Sequence, residues 1–275
     1  MREQREDVAP ETGATVENLG TREQSQGGRQ PVPWSLRQTL TGVLLTLAPW
    51  LVFSLGSTAL LGSSTTSAQT VIPRQLDVIM GVAVFIVSSL LEGVFLIAPL
   101  VVVMRLRAPG ANWRERLGWL GLRRTAPGPA LVVVIVGLGA ALAGSVLYSW
   151  IVTTLNLPLQ TNTDTLLAQG RSQPFTTLGL LAAAALVAPI CEEIFFRGFT
   201  FPGLLKGMSL LPAILLSSAL FGVAHADLGS LIPLFIIGLA LAWARWRTDS
   251  LWPGVIIHMA NNTLAAVTII PLLFK

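Results

Sequence analysis

Long, uninterrupted apolar segments constrain this chain more than any other feature. Seven of them follow residue 38, each at least 18 residues long, and about 20 apolar residues in a helix span the hydrocarbon core of a bilayer. A helix satisfies all its backbone hydrogen bonds within one segment, as lipid requires. The sequence therefore predicts an all-α polytopic membrane protein in which about seven transmembrane helices form one bundle. The predicted spans are 39–62, 77–104, 129–154, 176–204, 209–226, 229–246 and 251–273.

The composition also argues against the soluble classes. Hydrophobic residues make up 52% of the chain and charged residues only 12%, whereas about a quarter of a soluble domain is charged. Although the net charge is +4, the basic residues cluster beside apolar spans, where anionic lipid is their natural partner. We therefore expect the lipid bilayer as a partner and no nucleic acid. The single cysteine, Cys191, excludes an internal disulfide and a site made of several thiolates.

The charge pattern predicts the domains and the orientation. Residues 1–34 are polar and contain no aromatic residue before Trp34, which is typical of a disordered tail, whereas 35–275 form the membrane domain. If the amino terminus is cytoplasmic, fifteen of the 18 Lys and Arg residues lie on that side, as the positive-inside rule demands. The sequence thus predicts a multi-pass protein of the cell membrane with a cytoplasmic amino terminus, a cytoplasmic tail and an outside carboxyl terminus.

An ionisable cluster interrupts the fourth predicted span. Glu192, Glu193 and Arg197 lie in an otherwise apolar helix, and charges inside a membrane are costly enough to indicate a functional site. Glu193 and Arg197 are four residues apart and predict an ion pair on one helix face, whereas Glu192 points about 100° away and is the spare carboxylate. The alternative is that all three form a structural ion-pair network.

Two later spans each contribute one histidine, and these are the only histidines in the chain. They are His225 and His258, and Asn262 lies one helical turn beyond the second. Carboxylates, imidazoles and an amide at similar depth suit hydrolysis. We interpret Glu192 as the general base on a water, with Glu193 as its orienting partner. His225 would share that water, shuttle its proton or bind a metal.

The last histidine and the asparagine suit a different task. His258 and Asn262 can both donate hydrogen bonds to the oxyanion that develops during peptide hydrolysis. Metal ligation is the competing role for His258. A further intramembrane carboxylate, Glu92, has no basic neighbour in sequence. It either lines a substrate entry path or forms a hydrogen bond across a helix interface.

These motifs resemble those of the CPBP family, which comprises the CAAX prenyl proteases and bacteriocin-processing enzymes and is also called the Abi family. The family pattern stands here as Glu192-Glu193 with Arg197, then Phe221 with His225, then His258 with Asn262. The resemblance covers about residues 175–265. It implies a helical membrane protease, a hydrolase in which glutamate and histidine activate water while the last histidine and asparagine hold the oxyanion.

The same resemblance leaves the cofactor open. The family is named for metalloproteases, so a divalent metal such as zinc, held by Glu192, His225 and His258, is one option and metal-free water activation is the other. The predicted function is an intramembrane endopeptidase that acts on a peptide or membrane-protein substrate. The alternative is a non-proteolytic membrane factor of the same fold, such as a bacteriocin-immunity or scaffold protein. The motifs specify neither the substrate and its prenylation nor the oligomeric state.

Overall fold

The computed structural model describes residues 32–62, 72–105, 110–159, 166–167 and 170–275. Throughout these residues the chain forms helices and turns and no strand, which confirms the predicted all-α bundle. The predicted tail lies outside the described residues up to residue 31, but its end does not. Val32 and Trp34 are buried, and the Trp34 ring lies 5.6 Å from that of Phe199. The compact unit therefore begins at Val32, slightly before the predicted boundary.

The described residues form eleven α-helices and one π-helical segment. They are α1 (Leu36–Gly62), α2 (Arg74–Glu92), α3 (Val94–Arg105), α4 (Trp113–Trp119), α5 (Pro127–Thr154), α6 (Pro174–Leu186), α7 (Ala188–Glu193), the π segment (Ile194–Thr200), α8 (Phe201–Leu204), α9 (Leu210–Ala224), α10 (Leu231–Thr248) and α11 (Trp252–Leu273).

Six stretches of the described residues are long and apolar enough to cross a membrane. They are Leu36–Ser57, Arg74–Arg105, Pro127–Thr154, Pro174–Leu204, Leu231–Thr248 and Trp252–Leu273. The predicted span 209–226 corresponds to α9, which has only 15 residues. At 1.5 Å per residue this helix is about 22 Å long, shorter than the roughly 30 Å hydrocarbon core.

Two predicted spans are interrupted where the site lies. Span 77–104 divides into α2 and α3 at Glu92 and Gly93. Span 176–204 divides at Val187 into α6 and α7, because Pro189 has no N–H to donate to the carbonyl four residues earlier. The helix then widens into the π segment, a rare form that is frequent at functional sites.

Small residues and one buried carboxylate hold the helices close together. A Cβ on Gly179 would overlap the backbone of Gly81, so α2 and α6 touch main chain to main chain, as small residues permit in membrane bundles. Asp77 of α2 accepts hydrogen bonds from the backbone N–H groups of Phe175 and Thr176, both at 2.9 Å. It thereby caps the start of α6, which has no capping side chain of its own.

Aromatic rings form the core beneath the site. The π segment contributes Phe195, Phe196 and Phe199, all fully buried. Phe95 of α3 packs against the first two with ring centroids 5.4 and 5.9 Å away. Phe196 contacts Phe221 of α9 at 5.3 Å. The site therefore rests on a rigid apolar base built from three separate segments.

Candidate active site

Four elements contribute the predicted site residues. Glu192 and Glu193 end α7, Arg197 lies in the π segment, His225 caps the end of α9, and His258 lies on α11. The structure brings these five side chains together, although 66 residues separate the first from the last. Asn262 lies one turn further along α11 and turns towards α6, as described below.

Glu193 and Arg197 form a fully buried ion pair, as their spacing predicts. Arg197 Nη1 donates to Glu193 Oε1 at 2.9 Å, and neither side chain is exposed. The second guanidinium nitrogen, Nη2, donates to the carbonyl oxygen of Gly238 at 3.2 Å. The cation also lies 4.4 Å from the centre of the Phe221 ring, a favourable cation–π geometry. Charge, hydrogen bond and ring thus offset the cost of burying this guanidinium.

Glu192 has no such partner and lies between the two histidines. Its Oε1 is 4.0 Å from His225 Nε2 and its Oε2 is 3.9 Å from His258 Nε2. Both distances exceed a direct hydrogen bond, and Oε2 has no hydrogen-bond partner among the described residues. Polar atoms about 4 Å apart are suited to bridging by one small polar group such as water. Glu192 is therefore the spare carboxylate that the sequence predicts.

The tautomer of His225 follows from its hydrogen bond. Its Nδ1 lies 2.8 Å from the backbone oxygen of Phe221, and because a carbonyl can only accept, Nδ1 carries the hydrogen. In the neutral ring Nε2 then has a free lone pair, and this atom faces Glu192. The side chain is 27% exposed, more than either glutamate or His258, so the site opens on the His225 side.

His258 lies between the two glutamates. Its Nδ1 is 3.4 Å from Glu193 Oε1 and its Nε2 is 3.9 Å from Glu192 Oε2. The ring is almost completely buried, and it packs edge to face on Phe221 at 5.4 Å. Phe221 thus contacts Arg197, His225 and His258, which gives the aromatic residue of the second motif a structural role.

Asn262 has a different environment from the one the sequence predicts. Its Nδ2 donates to the backbone oxygen of Ala184 at 2.9 Å, and its Oδ1 accepts from Asn261 Nδ2 at 3.3 Å. Asn262 thus makes an interhelical hydrogen bond that ties α11 to α6. One amide hydrogen of Asn262 is already used, and one is left for an oxyanion.

Three residues that the motifs do not include support the cluster. Arg245 Nε donates to the backbone oxygen of Arg197 at 3.2 Å, and Gly254 approaches so closely that a Cβ there would lie 2.8 Å from Glu193 Oε2. Gly238 supplies the carbonyl that holds Arg197. The sequence pattern gives no signal for Arg245, and its burial is what marks its role.

Glu92 also belongs to this region. It ends α2, its Oε2 is buried without a hydrogen-bond partner among the described residues, and it is near enough to Glu192 and Cys191 to interact electrostatically with both. In the sequence, Glu92 stands out because it is a carboxylate within an apolar span and has no basic neighbour. The structure adds that it is close enough to Glu192 for the two charges to affect each other.

The donor types of a zinc site are present, but their arrangement differs from one. A carboxylate and two imidazoles form a common set of catalytic zinc ligands. Among the residues that the structure describes, however, no group of three or more His, Cys, Asp and Glu side chains has the arrangement that holds a metal ion. Instead, the Glu192 oxygens lie 4.0 and 3.9 Å from the Nε2 atoms of His225 and His258, which is a distance that one hydrogen-bonded water can bridge.

Comparisons with known proteins place this site in a family. The chain matches the family profile described as "Type II CAAX prenyl endopeptidase Rce1-like" over residues 174–264, a range that contains all six predicted site residues. It is similar to "Putative membrane peptidase YdiL" of Bacillus subtilis (strain 168), with 33% identity over 88 residues that cover 32% of this chain and 36% of that protein. No solved structure matches it.

Two uncharacterized proteins extend the similarity beyond the motifs. One, a 24.3 kDa protein of Escherichia coli, is 34% identical over 176 residues, which cover 61% of this chain and 68% of that protein. The other, from Mycoplasma capricolum subsp. capricolum, is 26% identical over 159 residues, which cover 52% of this chain and 45% of that protein. The chain thus spans less than half the length of the Bacillus and Mycoplasma relatives.

The fold and the site define a multi-pass helical membrane protein with a buried glutamate–histidine cluster. The family match and the relatives make the assignment specific: this chain belongs to the CPBP/CAAX protease family.

Proposed function

We propose that this protein is an intramembrane endopeptidase that hydrolyses a peptide bond in or near the membrane. The observation that carries the proposal is the position of Glu192, a buried carboxylate between the Nε2 atoms of His225 and His258, at 4.0 and 3.9 Å. A structural ion-pair network would pair this carboxylate with a cation. Instead the Arg197 guanidinium donates its hydrogen bond to Glu193.

The proposed first step is attack by water on the scissile carbonyl. A water held between Glu192 and His225 Nε2 loses one proton to the carboxylate as its oxygen bonds to the carbonyl carbon. The π electrons of the carbonyl move to its oxygen, and a tetrahedral oxyanion results. His225 contributes by holding the water through the lone pair on Nε2, which the Nδ1 hydrogen bond to Phe221 keeps available.

The second step returns the proton. As the carbon–nitrogen bond breaks, Glu192 gives its proton to the leaving nitrogen, so that the carboxylate is regenerated and the products are an acid and an amine. The oxyanion is proposed to accept hydrogen bonds from the remaining amide hydrogen of Asn262 and from His258 Nε2. Because His258 Nδ1 faces the Glu193 carboxylate, Nε2 donates in the form of the ring that carries a hydrogen on both nitrogens. Fixed donors in a water-poor site contribute a few kcal/mol to such a transition state.

Glu193 and Arg197 position this machinery without reacting. The ion pair neutralises the second carboxylate, and Glu193 Oε1 orients His258 from a distance of 3.4 Å. If a divalent metal were bound by Glu192, His225 and His258, it would act as a Lewis acid on water. The distances in the described residues suit a bridging water better, so the proposed steps use the side chains alone.

The substrate is proposed to be a peptide or membrane protein, with the bilayer as the partner that delivers it. The matching family profile is described as a CAAX prenyl endopeptidase, so a prenylated carboxyl-terminal peptide is the first substrate class to test. A non-prenylated peptide of the same sequence is its control.

The test compares wild type with Glu192→Gln in detergent, using matched prenylated and non-prenylated peptides and mass spectrometry of the products. Removing the general base should lower the rate about 10²–10⁴-fold. Glu115→Gln is the matched control, because this exposed residue caps α4 and glutamine serves in the same capping box. A parallel chelator arm, with zinc added back, separates metal-assisted from metal-free water activation.

The outcome also distinguishes the second candidate function. Identical product patterns from folded wild type and folded Glu192→Gln would mean that the cluster does not catalyse. The protein would then be a non-proteolytic membrane factor, in which the buried carboxylates and histidines fix helix register.

A further inference from the structure

A groove on the bundle, away from the glutamate–histidine cluster, has the features of a lipid site. It has a volume of about 570 Å³ and lies between α1 and α3, within the roughly 300–1,000 Å³ range of small-molecule sites. Its apolar wall is formed by Leu45, Val94, Ile97, Ala98, Val101 and Val102. The groove opens towards the bilayer, because Leu45 and Ile97 are 69% and 59% exposed.

One end of this groove is strongly basic. Arg37 near the start of α1 and Arg105 at the end of α3 both line it, and both residues are exposed. Within the part of the chain that the structure describes, neither guanidinium makes a hydrogen bond or ion pair. Gln38 and Thr41 lie at the same end. Two free cations beside neutral polar groups favour a phosphate, which arginine binds through charge-assisted hydrogen bonds.

The length of the groove argues for one acyl chain rather than for a helix. On α1 it extends from Arg37 to Thr46, which is about 14 Å at 1.5 Å per residue. Half of the roughly 30 Å hydrocarbon core is about 15 Å. The groove therefore reaches from the charged membrane surface to about the midplane, too short for a transmembrane substrate. A second copy of this chain would bring like charges together.

The floor of the groove is shaped by a glycine. A Cβ on Gly42 would lie 2.8 Å from the Phe199 ring and 3.3 Å from Ala98, so the absence of a side chain keeps α1 close to the π segment. Phe199 lies two residues after Arg197. The groove thus borders the base of the catalytic cluster without using any of its residues.

We propose that this groove binds one anionic phospholipid, with an acyl chain along the apolar wall and its phosphate between Arg37 and Arg105. The site is independent of the proposed peptidase activity. Each basic residue near an anionic surface contributes about 1 kcal/mol, or about a fivefold change in affinity. The pair should therefore bind phosphatidylglycerol about 30-fold more tightly than phosphatidylcholine with the same acyl chains.

Native mass spectrometry of the purified full-length protein, titrated with each lipid in detergent, measures this preference. The double variant Arg37→Gln/Arg105→Gln should lose the preference for phosphatidylglycerol. The control Arg114→Gln/Arg124→Gln removes the same charge from two exposed residues outside the groove and should retain it. Val101→Phe fills the groove without changing charge and should weaken binding of both lipids.

The charge variant Arg37→Gln/Arg105→Gln and the groove-filling variant Val101→Phe test the proposal separately, so one still tests it if the other does not fold. Equal binding of the two lipids by wild type would overturn it, as would an equal loss of preference in the control pair. Unchanged lipid binding by folded Val101→Phe would show that no acyl chain occupies the groove. The two arginines would then act only on the orientation of the protein in the membrane. Peptide cleavage plays no part in these readouts, so failure here leaves the proposed function intact.

Discussion

Glu192 and Glu193 are neighbours of the same residue type with opposite environments. Glu193 is fully buried and bonded to Arg197, so its charge is neutralised and its orientation is fixed. Glu192 is separated from both histidines by about 4 Å and is free to take a proton. One step along the helix turns the side chain by about 100°, and that rotation places the two carboxylates in different environments, which the proposed function assigns to an orienting and a reacting role.

The ion pair predicts a specific pattern of stabilities. Glu193→Gln or Arg197→Gln alone leaves one buried charge without its partner, which should cost about 3–5 kcal/mol. The double variant removes both charges and should recover part of that loss. Thermal or denaturant unfolding in detergent measures the three values.

Glu115→Gln provides the baseline for comparing the two single variants with the double variant, because a substitution at an exposed residue should change stability by about 0.5 kcal/mol or less. If both single variants were as stable as the baseline, the pair would be irrelevant to folding, and the positioning of His258 by Glu193 would lose its support.

At the scale of elements, the π segment is what the site depends on. Its carbonyl groups are displaced relative to an α-helix, and the oxygen of Arg197 accepts a hydrogen bond from Arg245 of α10. Arg245 also pairs with Asp249 at 2.5 Å, and Asp249 pairs with Arg123 at 2.7 Å. A chain of contacts therefore runs from the loop after α4 to the π segment.

We expect Arg245 to act as a positioning residue. Arg245→Lys can keep the ion pair with Asp249 but lacks the Nε–H that reaches the Arg197 oxygen. A displacement of about 1 Å at a site can cost up to about 100-fold in rate. The turnover number should fall while KM and the unfolding temperature change little.

Arg247→Lys is the matched control for this prediction, because Arg247 lies two residues further on α10 and is exposed. It should behave as wild type. A fall in the unfolding temperature of Arg245→Lys that fully accounts for its lost activity would assign Arg245 a purely structural role.

The elements also show what sequence reasoning can and cannot reach. Helix periodicity and the cost of buried charge predicted Glu192, His225 and His258 as one cluster, because each is a polar residue in an apolar segment, and the structure brings them together. The π segment was missed, since no residue type marks it and Phe195 to Phe199 would suit an α-helix equally well. The hydrogen-bond partners of Asn262 were missed for a related reason. One of them is the backbone carbonyl of Ala184, and a pattern of side-chain types does not indicate which backbone groups accept hydrogen bonds.

At the scale of the whole molecule, the number of helices that cross the membrane determines on which side each terminus lies. Arg197 was counted among the inner basic residues, yet it is buried and paired with Glu193. Without it the asymmetry is still fourteen to three, so the prediction of a cytoplasmic amino terminus is unchanged. The position of the carboxyl terminus depends instead on whether the short helix α9 crosses.

The contacts of the turn after α9 favour a crossing. Tyr148 Oη donates to the carbonyl oxygen of Gly229 at 2.5 Å, and Tyr148 lies about 30 Å along α5 from Pro127 at 1.5 Å per residue. The α9–α10 turn is therefore near the far end of α5. With α9 included, seven segments cross, and the two termini lie on opposite sides of the membrane.

Cysteine accessibility tests this orientation in intact cells. Lys275→Cys should react with a membrane-impermeant thiol reagent applied from outside, whereas Arg114→Cys should react only after permeabilisation. The parent protein is the blank, because its single cysteine, Cys191, is buried. If both introduced cysteines were protected in intact cells, α9 would return without crossing, and the His225 end of the site would then lie on the cytoplasmic side of the bundle.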